Sequence, residues 1–477
     1  MANPPPKRSI YLLSPKTYGA ETIAVAFAKT SRSPLSFKDI AEELTEAQAS
    51  QFHEKWVVGY GHASVAEHAV LHLAFENVSR LAVECLQSNR LASYTEKSTR
   101  YQQWDLNGYC CPPELDGNPL LSVYQDTCRK LFLSYTEWIE EAVSHLKQMD
   151  PVDTDEPMKV RERRLRSRAV DAARFLLPAA SLANVGMTVN ARALAHALRK
   201  MLSHPLAEVR EIGEEALDVA RLEAPTLVRH VEPVTFLTGS RTFQIESAEG
   251  FPPAAPAPVG VTLQAFQPDA EEELLAAMLF REGNVAWDVA RRHAAGLSPE
   301  ERGRMLHGWL GTRGRYDALP REVEQVIYSF EVVLDQGAYY ELKRHRMMTQ
   351  LPQPLTASLG YEVPQLLKSI GACGRYRAVM DQTADAYQQL AGWNADVAGY
   401  VVPNGFRRRM LLTANLRQLC HFCELRAASN AHFSMREIAH RIAGHIQEVH
   451  PHLGALLRMP EDESAESIAR HHFVRGL

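Results

Sequence analysis

Seven cysteines in 477 residues are few, odd in number and irregularly spaced, so no disulfide framework is expected and a reducing compartment fits. The one C-x-x-C, Cys420 to Cys423 in "CHFC", has no second pair to complete a zinc site. It lies inside a helix-like run, not after a strand, so both thiols are expected as core residues and no metal site is expected. Long apolar runs are missing too. No segment has the length and apolarity of a membrane span, and "MANPPPKRSIYLLSPK" has no apolar core of signal-peptide length. Charge of one sign is not in large excess: the net charge of -5 argues against a general nucleic-acid or membrane-surface role. No phosphate-binding loop, H-E-x-x-H or Ser-His-Asp arrangement occurs, which leaves hydrolase and ATPase readings without support. The expectation is a cytoplasmic globular enzyme or enzyme-like protein, too long for one ordinary core.

What is present is an internal repeat. The proline-dense stretch "EGFPPAAPAPVGVTLQ", 249–264, forbids regular helix or a central strand and reads as a linker between a first repeat, 1–248, and a second, 265–477. Residues 44–90 parallel 297–346. Each begins with Leu-Ser/Thr and an acidic helix start, runs through an alternating strand ("AVLHLAFEN", "VIYSFEVVL"), and ends in an arginine-bearing motif. Farther on, "TVNARALAHALRKMLSHPLAEVREI" parallels "TANLRQLCHFCELRAASNAHFSMREI", both with apolar residues at helical spacing. Strand followed by helix in each half predicts an α+β fold, two tandem repeats of a β-sheet packed with helices.

The stretch "SNRLASYTEKSTRYQQ", 88–103, carries the densest polar chemistry. Arg90 and Arg100 offer planar forks for phosphate or carboxylate. Ser93, Ser98 and backbone N–H groups can complete an anion nest, and Glu96 adds an acceptor. A solvated helix with a Glu96–Arg100 pair is the plainer alternative. In the second half "KRHRMMTQLPQPLT" occupies the same place, with Pro352 and Pro354 where the first half has Glu96 and Ser98. Those prolines remove backbone donors as well as side chains.

With "GHASVAEH" upstream and "RFLLP", "TVNARAL" and "LRKMLSH" downstream, the first half resembles the flavin-dependent thymidylate synthases, whose motif reads R-H-R-x-x-S-x-N-E-x-S-x-R-Y. The second half resembles them through "KRHRMMT", "VVPNGFRRRMLLTANLR" and "ELRAAS". The departures are opposite in the two halves. Ser88 and Asn89 stand where the family has Arg-His, and Thr95 where it has Asn, while Arg90, Ser93, Glu96, Ser98, Arg100 and Tyr101 remain. Arg344, His345 and Arg346 survive in the second half, where Leu319, Gly399 and Asn430 stand for His62, Arg174 and His204. Arg426 has the family spacing from Asn415, whereas Arg199 is out of register in the first half.

The resemblance implies a fused pseudo-dimer with composite sites, and a homodimer rebuilding a four-unit assembly. It implies nucleotide binding by Glu96, Ser98, Arg100, Arg174 and Arg426, and FAD binding by His62, Ser64, Asn190, Arg192, His204, Arg344, His345 and Arg346. Arg344 or Arg90 would stabilise charge on the pyrimidine. The implied reaction is methylation of dUMP to dTMP, with methylenetetrahydrofolate as one-carbon donor and NADPH recharging the flavin. The alternatives are a flavoprotein acting on another pyrimidine nucleotide, or a non-catalytic nucleotide-binding scaffold. No nucleic-acid or membrane partner is expected.

Overall fold

The computed structural model describes residues 11, 13–30, 33, 35–59, 63–100, 102–150, 156–252 and 255–475. Two compact units emerge, and they cut across the sequence halves. One comprises Met1–Lys97, Pro112–Asp116 and Leu182–Phe251; the other comprises Ser98–Cys111, Gly117–Ser181 and Pro252–Leu477.

The first unit holds a three-stranded antiparallel sheet of β1 (Val70–Ser79), β2 (Ala92–Glu96) and β3 (Leu182–Asn190), in the order β1-β3-β2. Leu71, Leu73 and Phe75 alternate inward along β1, as the period-2 pattern requires. A bulge between Phe75 and Val78, with Asn77 at φ 54, resets the pairing so that Val78 and Ser79 are buried. Ser79 then caps the helix Arg80–Gln87 by accepting from the Ala82 N–H.

The second unit repeats this plan with a strand added. Its sheet of β4 (Gly260–Phe266), β5 (Ile327–Asp335), β6 (Thr349–Pro352) and β7 (Arg407–Asn415) has the order β4-β5-β7-β6. Ser93 pairs with Thr188 in the first sheet and Thr349 with Thr413 in the second; Ser79 pairs with Leu182, and Asp335 with Arg407. Asp335 caps the helix Gln336–Leu342 as Ser79 caps its counterpart. Asn190 and Asn415, ending β3 and β7, cap the helices Ala191–Leu202 and Leu416–Arg426. Thr45 and Ser298 each close a capping box, as the paired helix-start signals predict. Each sheet is packed with helices, which gives the predicted α+β tandem fold.

The proline-rich stretch is a connector only as far as Val259: from Gly260 the chain is β4, an edge strand beyond the last proline, Pro258. Pro352 is likewise accommodated because β6 is the opposite edge. The core of the second unit gathers Tyr328, Phe330 and Val332 from β5 with Leu416, Leu419, Cys420 and Cys423. The two cysteines are buried and free, as expected for core thiols.

Inside the second unit, segments from the two halves are joined reciprocally. Pro178 and Pro403 form an antiparallel bridge. Around it the Ala179 N–H donates to Val402 O (3.0 Å) and the Asn404 N–H to Leu177 O (3.0 Å). The Ala180 N–H donates to Tyr400 O and the Gly405 N–H to Phe175 O, both 2.8 Å. "RFLLPAAS" and "GYVVPNGF" therefore meet about a local two-fold axis, the relation of an isologous dimer contact. The flanking helices obey the same symmetry: Tyr124 donates to the Cys110 carbonyl and Tyr376 to that of Glu362, each 14 residues back.

Candidate active site

In the second unit, arginines from both halves converge on shared carboxylates. Arg174 opens the short turn Arg174–Leu176 after the helix Met158–Ala173 and is 3% exposed. Its Nη1 donates to Thr99 Oγ1 at 3.4 Å, and its Nη2 lies 3.7 Å from Glu341 Oε1. The other Glu341 oxygen accepts from Arg426 Nη1 at 3.3 Å. Arg426 also donates through Nε to His345 Nε2 at 2.9 Å. That bond fixes the neutral tautomer of His345, with the proton on Nδ1. Burial, then Arg426, His421 and Arg344, hold the His345 pKa down at about 3.

Arg100 is held by a bidentate pair to Asp171 at 2.8 and 3.0 Å, and its Nη1 donates to the Asn430 carbonyl at 2.9 Å. The Ser98 hydroxyl accepts from the Arg100 N–H at 3.2 Å. Arg344 is exposed, and Arg346 half-buried, at the end of the helix that carries Glu341. Arg344 and Arg100 both act on Arg426, whose pKa falls chiefly through burial, with Glu341 opposing. Burial also raises the Asp335 carboxyl to about 6, against the pull of the Ser434 hydroxyl and Arg174. A Cβ on Gly337 would lie 3.0 Å from Asp335 Oδ1 and 3.6 Å from Arg174 Nη2, so the position suits glycine.

The remaining expected site residues lie in the first unit. The side chains of Glu96 and Arg80 are nearly inaccessible and 3.4 Å apart, and Gln87 Nε2 donates to Glu96 at 3.0 Å. Residues 92–96 are strand, so the helical Glu96–Arg100 pairing does not occur, and a loop reading of the whole stretch is corrected to loop plus edge strand. Where the family motif has Arg-His, Lys200 reaches Ser88 Oγ (2.5 Å) and Asn89 Oδ1 (3.4 Å). Arg90 and Ser64 are exposed. Arg192 pairs with Glu67 at 2.5 Å, and Asn190 Oδ1 accepts from the Ala193 N–H. His204 is driven to a pKa of about 4, first by burial and then by Arg241 and Arg210; its Nδ1 accepts from the Leu206 N–H. His62 lies outside the described residues.

The family model for thymidylate synthase complementing proteins matches twice, over residues 12–226 and 269–452. The chain belongs to that family. Among its relatives, a protein from Chlamydia muridarum named "UPF0159 protein" is 32% identical over 439 residues, which is 87% of this chain and 82% of the relative. "UPF0159 protein Ta1429" from Thermoplasma acidophilum is 27% identical over 451 residues, 87% of this chain and 90% of the relative. A "Flavin-dependent thymidylate synthase" from Clostridium tetani is 28% identical over 219 residues, 84% of that protein but 46% of this chain. The two family matches and this half-length relative agree with the duplicated plan of the fold.

Within this chain, the second unit collects Ser98, Arg100 and Arg174 of the first half with Arg344, His345, Arg346 and Arg426 of the second. Sequence reasoning missed Asp171, Glu341, Asp335 and Thr99. Two had an available signal: Asp171 and Glu341 each sit three residues before a chosen arginine, one helical turn away. The donor set suits a phosphate-bearing nucleotide or flavin. Five guanidiniums stand against three carboxylates, those of Asp171, Asp335 and Glu341, and Arg174 Nε and Nη2 are buried with no hydrogen-bond partner.

Proposed function

We propose that this protein is a flavin-dependent thymidylate synthase whose nucleotide seat is assembled from both halves of one chain. The reading is carried by one observation: Arg100 and Arg174 share a charge cluster with Arg344, His345 and Arg426. In this role Ser98, Arg100, Arg174 and Arg426 take the dUMP phosphate, with Glu96 completing the substrate set. Arg344, His345 and Arg346 hold FAD together with His62, Ser64, Asn190, Arg192 and His204. Bound FAD, recharged by NADPH, supplies the hydride, and methylenetetrahydrofolate supplies the one-carbon unit.

The protein's own part is positional and electrostatic. Glu341 and Asp171 hold the arginine forks in place. His345, neutral at working pH, accepts from Arg426 without adding repulsion to the cluster. Arg344 is exposed and has no hydrogen-bonded side-chain partner among the described residues, so it is available to developing negative charge on the pyrimidine; Arg90 is its first-half alternative. The protein acts in the cytoplasm as a homodimer. A second reading, a nucleotide-binding scaffold or a flavoprotein for another pyrimidine nucleotide, is favoured by the closed Arg80–Glu96 pair.

The test is dUMP-dependent oxidation of the reduced flavoprotein with methylenetetrahydrofolate, with the product identified by mass. Arg100→Ala and Arg344→Ala are each expected to weaken nucleotide or flavin binding at least 10-fold. Normal binding and turnover in both variants would refute the composite seat. A colourless protein that FAD cannot reconstitute would support the scaffold.

A further inference from the structure

The helix Met158–Ala173 has two differently used basic faces. Arg161, Arg164 and Arg168 are neutralised by Asp150, with Glu156 also bonded to Arg164. Lys159, Arg163 and Arg166, spaced four and three residues apart, lie along another face and line a cavity of about 620 Å³. Lys147, from the helix Leu121–Met149, and Arg100 complete a lining of five cations against one carboxylate, Glu162. Arg166 has Glu140 at 3.5 Å and Arg100 has Asp171. Lys147, Lys159 and Arg163 have no carboxylate partner among the described residues.

Such a cluster repels itself and concentrates anions. Its shape also selects among them. From Lys159 to Arg166 the helix rises about 10 Å, so the charge is spread along a line longer than one phosphate. We infer that this cavity binds an oligoanion, a short chain carrying several phosphates or carboxylates, and that Arg100 connects it to the nucleotide seat. The two sources of that chemistry are an oligophosphate and the γ-linked carboxylate tail of a folate; only the naming of folate rests on the function proposed above.

Titration calorimetry of the full chain at fixed ionic strength, with inorganic monophosphate, tripolyphosphate and penta-γ-glutamate, tests this. At least one oligoanion is expected to bind 10-fold or more tightly than monophosphate. Lys159→Ala/Arg163→Ala should weaken it at least 10-fold, while Arg168→Ala, on the neutralised face, changes it less than 2-fold. Preference for tripolyphosphate or for penta-γ-glutamate identifies the source, and either supports the site. No preference over monophosphate, survival of binding in the double variant, or equal weakening by Arg168→Ala overturns it. Turnover is not the readout, so a protein that makes no thymidylate leaves the result standing.

Discussion

Burial acts on single titrating groups here with opposite signs. The Asp335 carboxyl, raised to about 6, binds its proton more readily folded than unfolded, where an aspartate titrates near ~3.9. Its contribution to stability is present below that lower value and is lost as pH rises through 6. His345 and His204, lowered to about 3 and about 4, do the reverse: their contribution is present above the ordinary histidine range and is lost as pH falls toward those values. Asp335→Asn keeps an oxygen for the Ala338 N–H and removes only the ionisable group. Relative to wild type, the variant should gain stability steadily from pH 4 to 6 and hold a constant difference above pH 7 in urea unfolding. A difference that does not vary with pH would show that Asp335 is not the group. Arg90 and Arg100 stood out from residue type alone, whereas Arg174, Arg426 and the Arg344–His345–Arg346 triplet were singled out through the family resemblance. Their carboxylate partners were not, because what Asp171 and Glu341 do depends on which side chains folding brings to them.

At the scale of elements, strands β1 and β5 and the capped helices follow from period-2 and N-cap patterns that any α+β chain uses. The strand β2 did not, because "ASYTE" is a five-residue edge strand whose half-buried face, Ala92, Tyr94 and Glu96, ends in a charge, so its alternation is short and weak. Asn190 and Asn415 both cap helices here, and of the two only Asn190 is expected to contact the flavin. Asn415→Ala should therefore cost about 1 kcal/mol in unfolding free energy and leave flavin absorbance unchanged, with Asn415→Asp restoring stability. Loss of flavin without loss of stability would reverse that assignment.

The whole molecule joins what the sequence divides. Duplication was visible in the repeated motifs, but the compact units were not, because the pairing of Phe175–Ser181 with residues 399–406 is tertiary and has no local signature. A fragment spanning 255–477 keeps β4 but lacks the helices Leu121–Met149 and Met158–Ala173 and the segment that meets Pro403. It should fail to show a cooperative thermal transition alone and recover one when co-expressed with 1–254; a cooperative melt of the isolated fragment would contradict the interleaved unit. The two-fold relation does not extend to the side chains of the proposed nucleotide seat, since Pro354 and Gly399 stand where the first half has Ser98 and Arg174. Equilibrium dialysis should accordingly find one dUMP bound per chain; two would mean that a second seat survives without those side chains.

The Pro178–Pro403 junction also sets a schedule for synthesis. Arg174 O and Asn404 Nδ2 are bonded across 230 residues of chain, so at ordinary translation rates the segment around Pro178 waits roughly 10 to 50 s for its partner. During that interval Phe175, Leu176 and Leu177, all buried in the finished protein, are exposed on a nascent chain that cannot close over them. Carrying both partners on one chain replaces the search for a second molecule with a wait on the ribosome.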